Sequence, residues 1–368
     1  MVFIIQQILP HYRFSVLKHL PEDDFKILYS HVLKEQSLSS VETDKANFFP
    51  IPIIRIGEKY FQFPFLLLFR YLPKYVVVTP ELRNLTFWVL LLLKFFLRFK
   101  LVCWTHGINN KDYFTGEISL SGRFRMRMMK FSDQIITYSN DRAKKLEKLI
   151  KKPISVANNT LDTLALNEVY QNLSKLGIEQ VYQKLGWSYD ELHFIYVGRL
   201  IEEKEIVKSI ELFQEVSINS DKIINFHIVG DGPFKQQLNT YIKNNQVNNV
   251  TLYGQILDSE ILGSMLLASH LHLHLGYTGL AIVHSLCFAC PIVTQLPNKE
   301  KGPYHSPEFE YLDESNSIQG SFRELEIKVK QIISDPVSVQ SLKEKARNTF
   351  EEECSIEIFL SAFKDLID

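Results

Sequence analysis

The fold is decided by four stretches in series: HFIYVGRLIEEKE (His193–Glu205), FHIVGDGPF (Phe226–Phe234), VTLYGQILDSE (Val250–Glu260) and GYTGLAIVHSLCFACPIVTQ (Gly276–Gln295). Short β-rich runs alternate here with helix-like patterns, and glycines or polar turns separate them. This alternation predicts βαβ units around a parallel sheet. Ligands of such sheets bind at the carboxyl ends of the strands, which is where these glycines and charges fall.

The spacing of the same stretches carries a resemblance. VGRL-x2-EK, then IVGDGP, then a Gly-Leu element that enters a helix and CPIVT resemble the donor-binding domain of GT-B glycosyltransferases of retaining family 4 (glycosyltransferase group 1). The form GLAIVHSL is similar to that of a bacterial surface-polysaccharide branch. The resemblance implies an α/β fold of two Rossmann-like domains facing a central cleft. It also implies retaining transfer of a sugar from a nucleotide-diphosphate donor to a saccharide or lipid-linked acceptor, in capsule, O-antigen or exopolysaccharide biosynthesis.

One departure from the family pattern leaves the activity open. The family carries two glutamates around the Gly-Leu element, and this chain has Gly276 and His284 at those positions. A non-catalytic protein that binds a nucleotide sugar or a partner enzyme is therefore the alternative. A sugar-phosphate epimerase or phosphorylase of the same fold is a second enzymatic alternative.

Composition sets the broad class of protein. The chain has 368 residues and a net charge of −1, which suffices for two domains and gives no basic field for nucleic acid. Four cysteines are too few for a disulfide scaffold and indicate a reducing compartment. The N-terminal run has neither a basic leader nor a cleavage site for a signal peptidase. A cytoplasmic protein is expected, with peripheral contact at the inner face of the cytoplasmic membrane left open.

Two domains are predicted, with the boundary in the polar stretch PISVANNTLDT (Pro153–Thr163). By the resemblance, residues 1–157 bind the acceptor, residues 158–354 bind the donor, and a helix over 355–368 packs on the first domain. Strands are predicted in the first domain at Val2–Ile5, Phe25–Tyr29, Tyr75–Thr79, Lys100–Thr105 and Asp133–Tyr138. Helices are predicted between them at Arg13–His19, Tyr60–Tyr71, Leu82–Phe99, Arg123–Phe131 and Asn140–Lys151.

Two segments of the first domain are apolar or basic enough to raise a membrane interpretation. NLTFWVLLLLKFFLRFK (Asn84–Lys100) has an apolar core of Phe87–Leu93, which is far shorter than the roughly 20 residues of a membrane span. RFRMRMMK (Arg123–Lys130) is basic without an acidic residue. A buried helix explains the apolar core. Contact with anionic lipid, or with a lipid-diphosphate acceptor, explains the basic residues.

The donor diphosphate is expected to meet positive charge. Arg199 and Lys204 match the Arg and Lys of the family motif that contacts the diphosphate, and both follow the end of a predicted strand. Gly279 and Leu280 open the next helix, where backbone N–H groups can face the same anion. No convincing Asp-x-Asp motif follows a strand, so no metal is expected to be required. The only small molecule expected is the UDP- or GDP-linked sugar itself, as substrate.

The same edge of the sheet is expected to bind the sugar and ribose. His284 lies where the family places its second glutamate, and a neutral imidazole can bond a hydroxyl; a buried structural histidine is the competing interpretation. The other residues expected to face the sugar or ribose are Gly276, Tyr277, Thr278, Glu308 and Glu310.

Two further patterns suggest metal sites and are interpreted otherwise. His270, His272 and His274 alternate with leucines and would share one strand face, a poor geometry for a tetrahedral ion. Cys287 and Cys290 form a lone CxxC in an apolar run, so small buried residues are the better interpretation.

Four residues of the first domain are candidates for the acceptor side. His106 ends a predicted strand in the sequence THG, which resembles the histidine near the reacting centre of the family, and it is expected to orient the donor sugar or support the transition state. Glu81 also follows a strand and can orient or deprotonate a hydroxyl, or else cap the next helix. His11 and Arg13 are predicted to lie in the loop after the first strand, where the acceptor approaches.

Overall fold

The computed structural model describes residues 1–31, 40–218 and 220–367. The chain divides into two compact units. The first comprises residues 1–162 and 356–368, and the second comprises residues 163–355. The division falls after Asp162, within the polar stretch that the sequence marks as a boundary.

A parallel sheet forms the centre of the first unit. In the described residues seven strands form it in the order β3-β2-β1-β6-β7-β8-β9, and a separate antiparallel hairpin joins β4 to β5. The strand order reverses between β1 and β6, which makes their carboxyl ends the switch point of this sheet. The strands are β1 (Val2–Ile5), β2 (Phe25–Tyr29), β3 (Phe48–Pro50), β4 (Ile53–Ile56), β5 (Lys59–Gln62), β6 (Tyr75–Val78), β7 (Lys100–Thr105), β8 (Gln134–Thr137) and β9 (Ile154–Val156).

Both faces of this sheet are buried because alternate residues of each strand point to opposite sides. In β1, Val2 and Ile4 enter one core, and Phe3 and Ile5 enter the other. The first core is covered by α1, and the second by residues of α2, α3, α5 and α6. The helices are α1 (His11–Leu17), α2 (Phe65–Tyr71), α3 (Leu85–Leu97), α4 (Asn110–Thr115), α5 (Leu120–Phe131) and α6 (Asn140–Glu147).

The predicted helix Tyr60–Tyr71 is wrong over its first part. Tyr60 to Gln62 belong to β5, and the helix begins only at Phe65. Tertiary contacts hold the strand: the Tyr60 amide donates to the Arg83 carbonyl at 2.9 Å, and the Gln62 amide donates to Thr86 Oγ1 at 2.7 Å. These partners are more than twenty residues away along the chain, so local periodicity does not reveal them.

The second unit is built on a sheet with the same plan. In the described residues its six parallel strands run in the order β12-β11-β10-β13-β14-β15. The chain moves outward from β10 to β12 and then returns to β13 beside β10, so the switch point lies between β10 and β13. The strands are β10 (Leu192–Val197), β11 (Ile224–Val229), β12 (Val250–Gly254), β13 (Leu271–Leu273), β14 (Ile292–Gln295) and β15 (Ser317–Gly320).

Helices cover this second sheet and share an apolar core with it. Phe194 and Tyr196 of β10 and Leu271 and Leu273 of β13 belong to one core with residues of α9 and α13. The helices of the unit are α7 (Thr163–Leu176), α8 (Ile178–Leu185), α9 (Ile206–Ser217), α10 (Lys235–Asn244), α11 (Ser259–Ala268), α12 (Ala281–Cys287), α13 (Phe322–Ile333) and α14 (Pro336–Glu353).

The last helix returns to the first unit. In α15 (Ile356–Lys364), Phe359 and Phe363 lie against Trp104 of β7, with ring centroids 5.7 and 5.0 Å apart. All three aromatic side chains are at most 1% exposed. The end of the chain therefore closes the core of the unit in which the chain begins.

Two neutral histidines, His193 and His227, form a chain of hydrogen bonds beside Trp187, which we call the histidine relay. Trp187 stacks on His193 and His227, with centroids 4.6 and 3.8 Å away. His193 Nε2–H donates to the Ser188 carbonyl at 2.8 Å, so its Nδ1 accepts from His227 Nε2–H at 3.0 Å. His227 Nδ1 then accepts from the Tyr253 hydroxyl at 3.1 Å. Burial lowers the pKa of His193, and burial together with His193 lowers that of His227 to about 3.

This relay predicts a stability that falls in mild acid. The unfolded chain takes up protons near pH 6.5, while folded His227 resists them to about pH 3. Stability is therefore complete above pH 6.5 and declines below it, by roughly 2 kcal/mol at pH 5 for one such histidine. Urea unfolding at pH 7.5 and pH 5 measures the slope. We expect His227→Gln to make the slope shallower, and exposed His11→Gln to keep the parent's slope. Equal slopes for all three proteins would contradict the relay.

Candidate active site

Two loops meet at the switch point of the second sheet. β10 and β13 pair in parallel, with Phe194 opposite Leu271, so both strands end at the same edge. The loop after β10 carries Arg199 and Lys204, and the loop after β13 carries Gly279. The structure thus places these predicted residues at the edge where a doubly wound sheet binds its ligand.

Lys204 is the fixed cation of this site. It ends the 3₁₀ helix Glu202–Lys204 and is only 9% exposed. Its ammonium donates to the Tyr277 carbonyl at 2.7 Å, and it lies 3.8 Å from the point where a Cβ of Gly279 would stand. Arg199, in contrast, is exposed. The two loops therefore converge on one positively charged point.

The Lys204 ammonium has a pKa only about one unit above neutral pH. Burial lowers the pKa of its ammonium to about 8, against the raising effect of the Glu308 carboxylate and with a further lowering effect of Arg199. At pH 7 the side chain is still mostly protonated. A bound anion would favour that charged form and would raise the pKa again.

Gly276 lets the two loops touch through their backbones. A Cβ on this residue would stand 2.3 Å from the Lys204 carbonyl carbon and 2.6 Å from the Glu203 carbonyl oxygen. The neighbouring Tyr277 amide donates to the same Glu203 carbonyl at 2.9 Å. The family's first glutamate would have to enter this contact. A side chain at position 276 therefore requires a backbone shift that would also move Lys204.

His272 joins the end of β10 to α12. Its Nε2 accepts from the Val197 amide at 3.1 Å, so its Nδ1–H donates to Ser285 Oγ at 2.9 Å. The Ser285 hydroxyl in turn donates to the Cys290 carbonyl at 2.8 Å. Burial, followed by the charges of Lys204 and His284, lowers the pKa of His272 to about 3. A neutral histidine thus fixes the helix beside the candidate site.

The neighbouring histidines are also engaged in hydrogen bonds. His274 Nε2 bonds the Tyr277 carbonyl at 3.0 Å, the same oxygen that Lys204 binds. His270 Nδ1 accepts from the His193 amide at 3.1 Å. β13 is shorter than the predicted strand, since it spans only Leu271–Leu273. No cluster of ligands suited to a metal ion occurs in the ranges that the structure describes.

His284 lies in the second turn of α12. Its side chain is partly exposed, and burial of the ring lowers its pKa to about 4. It is therefore a neutral donor or acceptor at pH 7. Leu280 and Gly279 precede the helix, and the Gly279 carbonyl accepts from the Ile282 amide at 2.9 Å. Contact of any of these residues with ribose or diphosphate stays a prediction.

Sequence reasoning missed His305, which supports the loop after β13. Its Nδ1 accepts from the Thr278 amide at 3.3 Å, and its Nε2–H donates to the Gln295 carbonyl at 2.8 Å. Its ring stacks on Phe309, with the centroids 4.3 Å apart. Thr278 is fully buried and also bonds His305 through Oγ1 at 3.1 Å. Thr278 therefore holds the loop in place, and no spacing in the sequence announces this pairing.

Glu308 and Glu310 lie in the 3₁₀ helix Pro307–Tyr311. Glu308 is 2% exposed, and its charge acts on Lys204. Glu310 is partly exposed. Glu308 is thus the carboxylate with the strongest effect on the pKa of Lys204.

In the first unit, His106 follows β7 and lies beside Tyr138, with ring centroids 4.5 Å apart. The residue is exposed, and its backbone carbonyl accepts a hydrogen bond from the Arg142 guanidinium at 3.4 Å. Surrounding protein and, after it, the charges of Arg142, Arg13 and Arg125 lower the pKa of His106 below its usual range. The imidazole is therefore neutral at pH 7.

Two of the other three candidates of this unit differ from their predicted settings, and for the third, Glu81, one of the two alternatives is excluded. His11 and Arg13 lie in the first turn of α1, so their assignment to a loop is wrong. The guanidinium of Arg13 lies 4.4 Å from the Trp104 ring centroid and donates to the Tyr138 hydroxyl at 3.4 Å. Glu81 does not cap α3, because the side chain of Asn84 accepts from the Phe87 amide there.

The glycine contact yields a prediction about stability. We expect Gly276→Ala to lower the free energy of unfolding by about 1–3 kcal/mol, because the new methyl group meets a fixed backbone. Gly279→Ala is the matched control, since its Cβ would have ordinary contact at 3.8 Å. Urea unfolding of both variants measures the difference. If the two variants unfold alike, close backbone approach at Gly276 is not the constraint.

One comparison with known proteins concerns the second unit. Residues 178–300 match the family model of glycosyl transferases group 1. This range begins at α8 and contains β10, Lys204, Gly276 and α12. No curated protein sequence matches the chain.

Solved structures show the fold of the whole chain. HepE from Anabaena, in complex with UDP and glucose, is 15% identical with a TM-score of 0.64, over 100% of this chain and 98% of that one. Sucrose-phosphate synthase from Thermosynechococcus elongatus is 14% identical with a TM-score of 0.68, over 100% and 98%. WaaG, a glycosyltransferase involved in lipopolysaccharide biosynthesis, is 11% identical with a TM-score of 0.64, over 100% and 98%. The chain therefore has the GT-B fold, and its residues 178–300 match the family model of glycosyl transferases group 1.

Proposed function

We propose that this protein is a retaining glycosyltransferase that uses a nucleotide-diphosphate sugar. The observation that carries the proposal is the buried ammonium of Lys204, held on the Tyr277 carbonyl at the switch point and 3.8 Å from the Cβ position of Gly279. HepE, which has this fold, is seen with UDP and with UDP-glucose. A UDP- or GDP-linked sugar is accordingly the proposed donor.

The first chemical task is to stabilise the leaving diphosphate. Two cations on one loop can do this without a metal, because fixed charges act strongly where water is excluded. Lys204 is positioned before the donor arrives, since its ammonium already has an acceptor. Arg199 has the planar fork that suits phosphate oxygens. We therefore assign both residues to the diphosphate, with the backbone at Gly279 and Leu280 beside them.

The second task is to orient the sugar and the acceptor. On the donor side we assign His284, Gly276, Tyr277 and Glu310 to ribose or sugar. On the acceptor side neutral His106 can accept or donate a hydrogen bond, and Glu81 can orient a hydroxyl. His11 and Arg13 complete the acceptor side. Retention of configuration is proposed from the family resemblance.

The proposed setting is bacterial polysaccharide assembly in the cytoplasm, at the inner face of the cytoplasmic membrane. WaaG, which shares the fold, acts in lipopolysaccharide biosynthesis. The acceptor would be a saccharide or a lipid-diphosphate-linked glycan. Capsule, O-antigen and exopolysaccharide biosynthesis are the proposed pathways.

A non-catalytic role is the second candidate, and Gly276 favours it. The backbone contact at this residue leaves no space for the family's first glutamate, and His284 replaces the second. Such a protein would hold a nucleotide sugar or a partner enzyme without turnover. Release of nucleoside diphosphate from the sugar donor, with and without acceptor glycans, separates the two roles.

The affinity for a nucleoside diphosphate tests the assignment of Arg199 and Lys204. Arg199→Ala and Lys204→Ala should each weaken UDP or GDP binding by about 1.5–3 kcal/mol, the range for a lost charge-assisted hydrogen bond. Isothermal titration with UDP, GDP, ADP and CMP, with and without EDTA, measures this and identifies the base. Lys208→Ala is the control, because Lys208 pairs with Glu205 at 2.8 Å on the next helix. Unchanged affinity in both test variants would falsify the placement of the site.

The affinity for the diphosphate should also depend on pH. Unliganded Lys204 loses its proton above about pH 8, whereas the bound diphosphate requires the charged form. Affinity should therefore be nearly constant between pH 7 and pH 8 and fall by up to about tenfold for each pH unit above it. Lys204→Arg should remove this decline, since arginine stays charged. A parent affinity that is constant between pH 7 and pH 9.5 would show that Lys204 does not pair with the diphosphate.

A further inference from the structure

Three of the four helices that cover one face of the first sheet are rich in exposed apolar and basic residues. Leu68 of α2, Phe87 and Leu90 of α3, and Met128 and Met129 of α5 share one buried core with the strands. We refer to α2, α3 and α5 as the helical layer. Its outer surface is where the sequence raised a membrane interpretation.

The outer face of α3 is apolar along its whole length. Trp88, Leu92, Phe95 and Phe96 are 38%, 65%, 72% and 81% exposed. Their spacing of four, three and one residues places them on one stripe of the helix. The buried-helix interpretation thus holds for Phe87 and Leu90 but not for this stripe. Exposed apolar stripes of this length mark interaction surfaces in water-soluble proteins.

The neighbouring helices extend this apolar surface. In α2, Leu66 and Phe69 are 87% and 57% exposed. In α5, Leu120, Phe124 and Phe131 are at least half exposed. Lys94 joins α3 to the end of α5, because its ammonium donates to the Phe131 carbonyl at 3.1 Å and pairs with Asp133 at 3.0 Å.

The charge of the layer has a single sign. α2, α3 and α5 contain no acidic residue. They contain six basic residues: Arg70, Lys94, Arg123, Arg125, Arg127 and Lys130. Arg123, Arg127 and Lys130 are exposed next to Phe124 and Phe131, and the guanidinium of Arg127 lies 5.7 Å from the Phe124 ring centroid. Basic and aromatic side chains therefore share the outer face.

We propose that the outer face of the helical layer docks on an anionic lipid bilayer and lies in its headgroup region. Aromatic and leucine side chains would enter the boundary of the acyl chains, and the arginines would meet lipid phosphates. A second copy of this chain fits the surface poorly, because a two-fold contact would set its basic residues against each other. Among the described residues no helix has the length and apolar character that crossing a membrane requires.

The same layer reaches the candidate acceptor side. Arg125 of α5 is half-buried, and its charge acts on His106 after β7. A docked layer would therefore hold this end of the first unit near lipid-linked glycans. The proposal deepens the membrane contact proposed above, and its test uses no sugar nucleotide. Failure of docking and failure of glycosyl transfer can thus be told apart.

The experiment is co-sedimentation of the full chain with vesicles of phosphatidylcholine alone and with 30% phosphatidylglycerol (roughly the charge density of an anionic leaflet). We expect binding to the anionic vesicles only, weakened by high salt. The double variant Phe95→Ser with Phe96→Ser should lose at least about tenfold in affinity. Arg123→Glu with Arg127→Glu should lose at least about 25-fold, since each basic residue near the surface contributes about fivefold.

Matched controls come from exposed residues of the second unit. Ile327→Ser with Val337→Ser removes similar apolar exposure, and Lys243→Glu with Lys345→Glu reverses two exposed charges. Both control variants should bind vesicles like the parent, and thermal unfolding checks that all variants are folded. Equal binding to neutral and anionic vesicles would overturn the proposal, and so would equal losses in the test and control variants. A protein that binds no vesicles would also overturn it, and self-association through Phe95 and Phe96 would then identify the face as a contact between copies of the chain.

Discussion

The contact of Gly276 with the carbonyl groups of Glu203 and Lys204 is the constraint on which the candidate site depends. It brings the loop after β13 against the loop after β10 and gives the Lys204 ammonium a fixed acceptor, the Tyr277 carbonyl. Without this approach the cation would be a flexible surface lysine. With it, the cation is preorganised, so its ordering does not have to accompany ligand binding.

Neutral histidines supply the rigidity around that contact. His272 ties β10 to α12, His274 shares the Tyr277 carbonyl with Lys204, and His305 holds Thr278. Burial lowers the pKa of each ring below its usual range, so none carries charge at pH 7. Imidazoles can satisfy buried backbone groups in this way without adding positive charge beside Lys204.

The sequence predicted those parts of the fold that are written in local periodicity. Most strands of both sheets and the loop glycines were predicted because alternating patterns and turn residues are short-range signals. The short strands β3, β9 and β15 were not predicted. The strand segment from Tyr60 to Gln62 was not predicted, and neither was the role of His305, because the partners of these residues lie far along the chain. Arg199 and Lys204 were found through a motif, whereas the charge of Glu308 acts on Lys204 from another element. Long-range pairing is what a single sequence conceals.

The absence of the family's two glutamates has an electrostatic consequence. Gly276 carries no side chain, and His284 is neutral at pH 7, so the carboxylate that acts on Lys204 most strongly is that of Glu308. Burial outweighs this carboxylate, because the pKa of Lys204 is lowered to about 8. A diphosphate bound beside Lys204 would favour the charged form of its ammonium. If the proposed sugar site is right, we expect Glu310, neutral donors and backbone groups to take the place of the missing carboxylates.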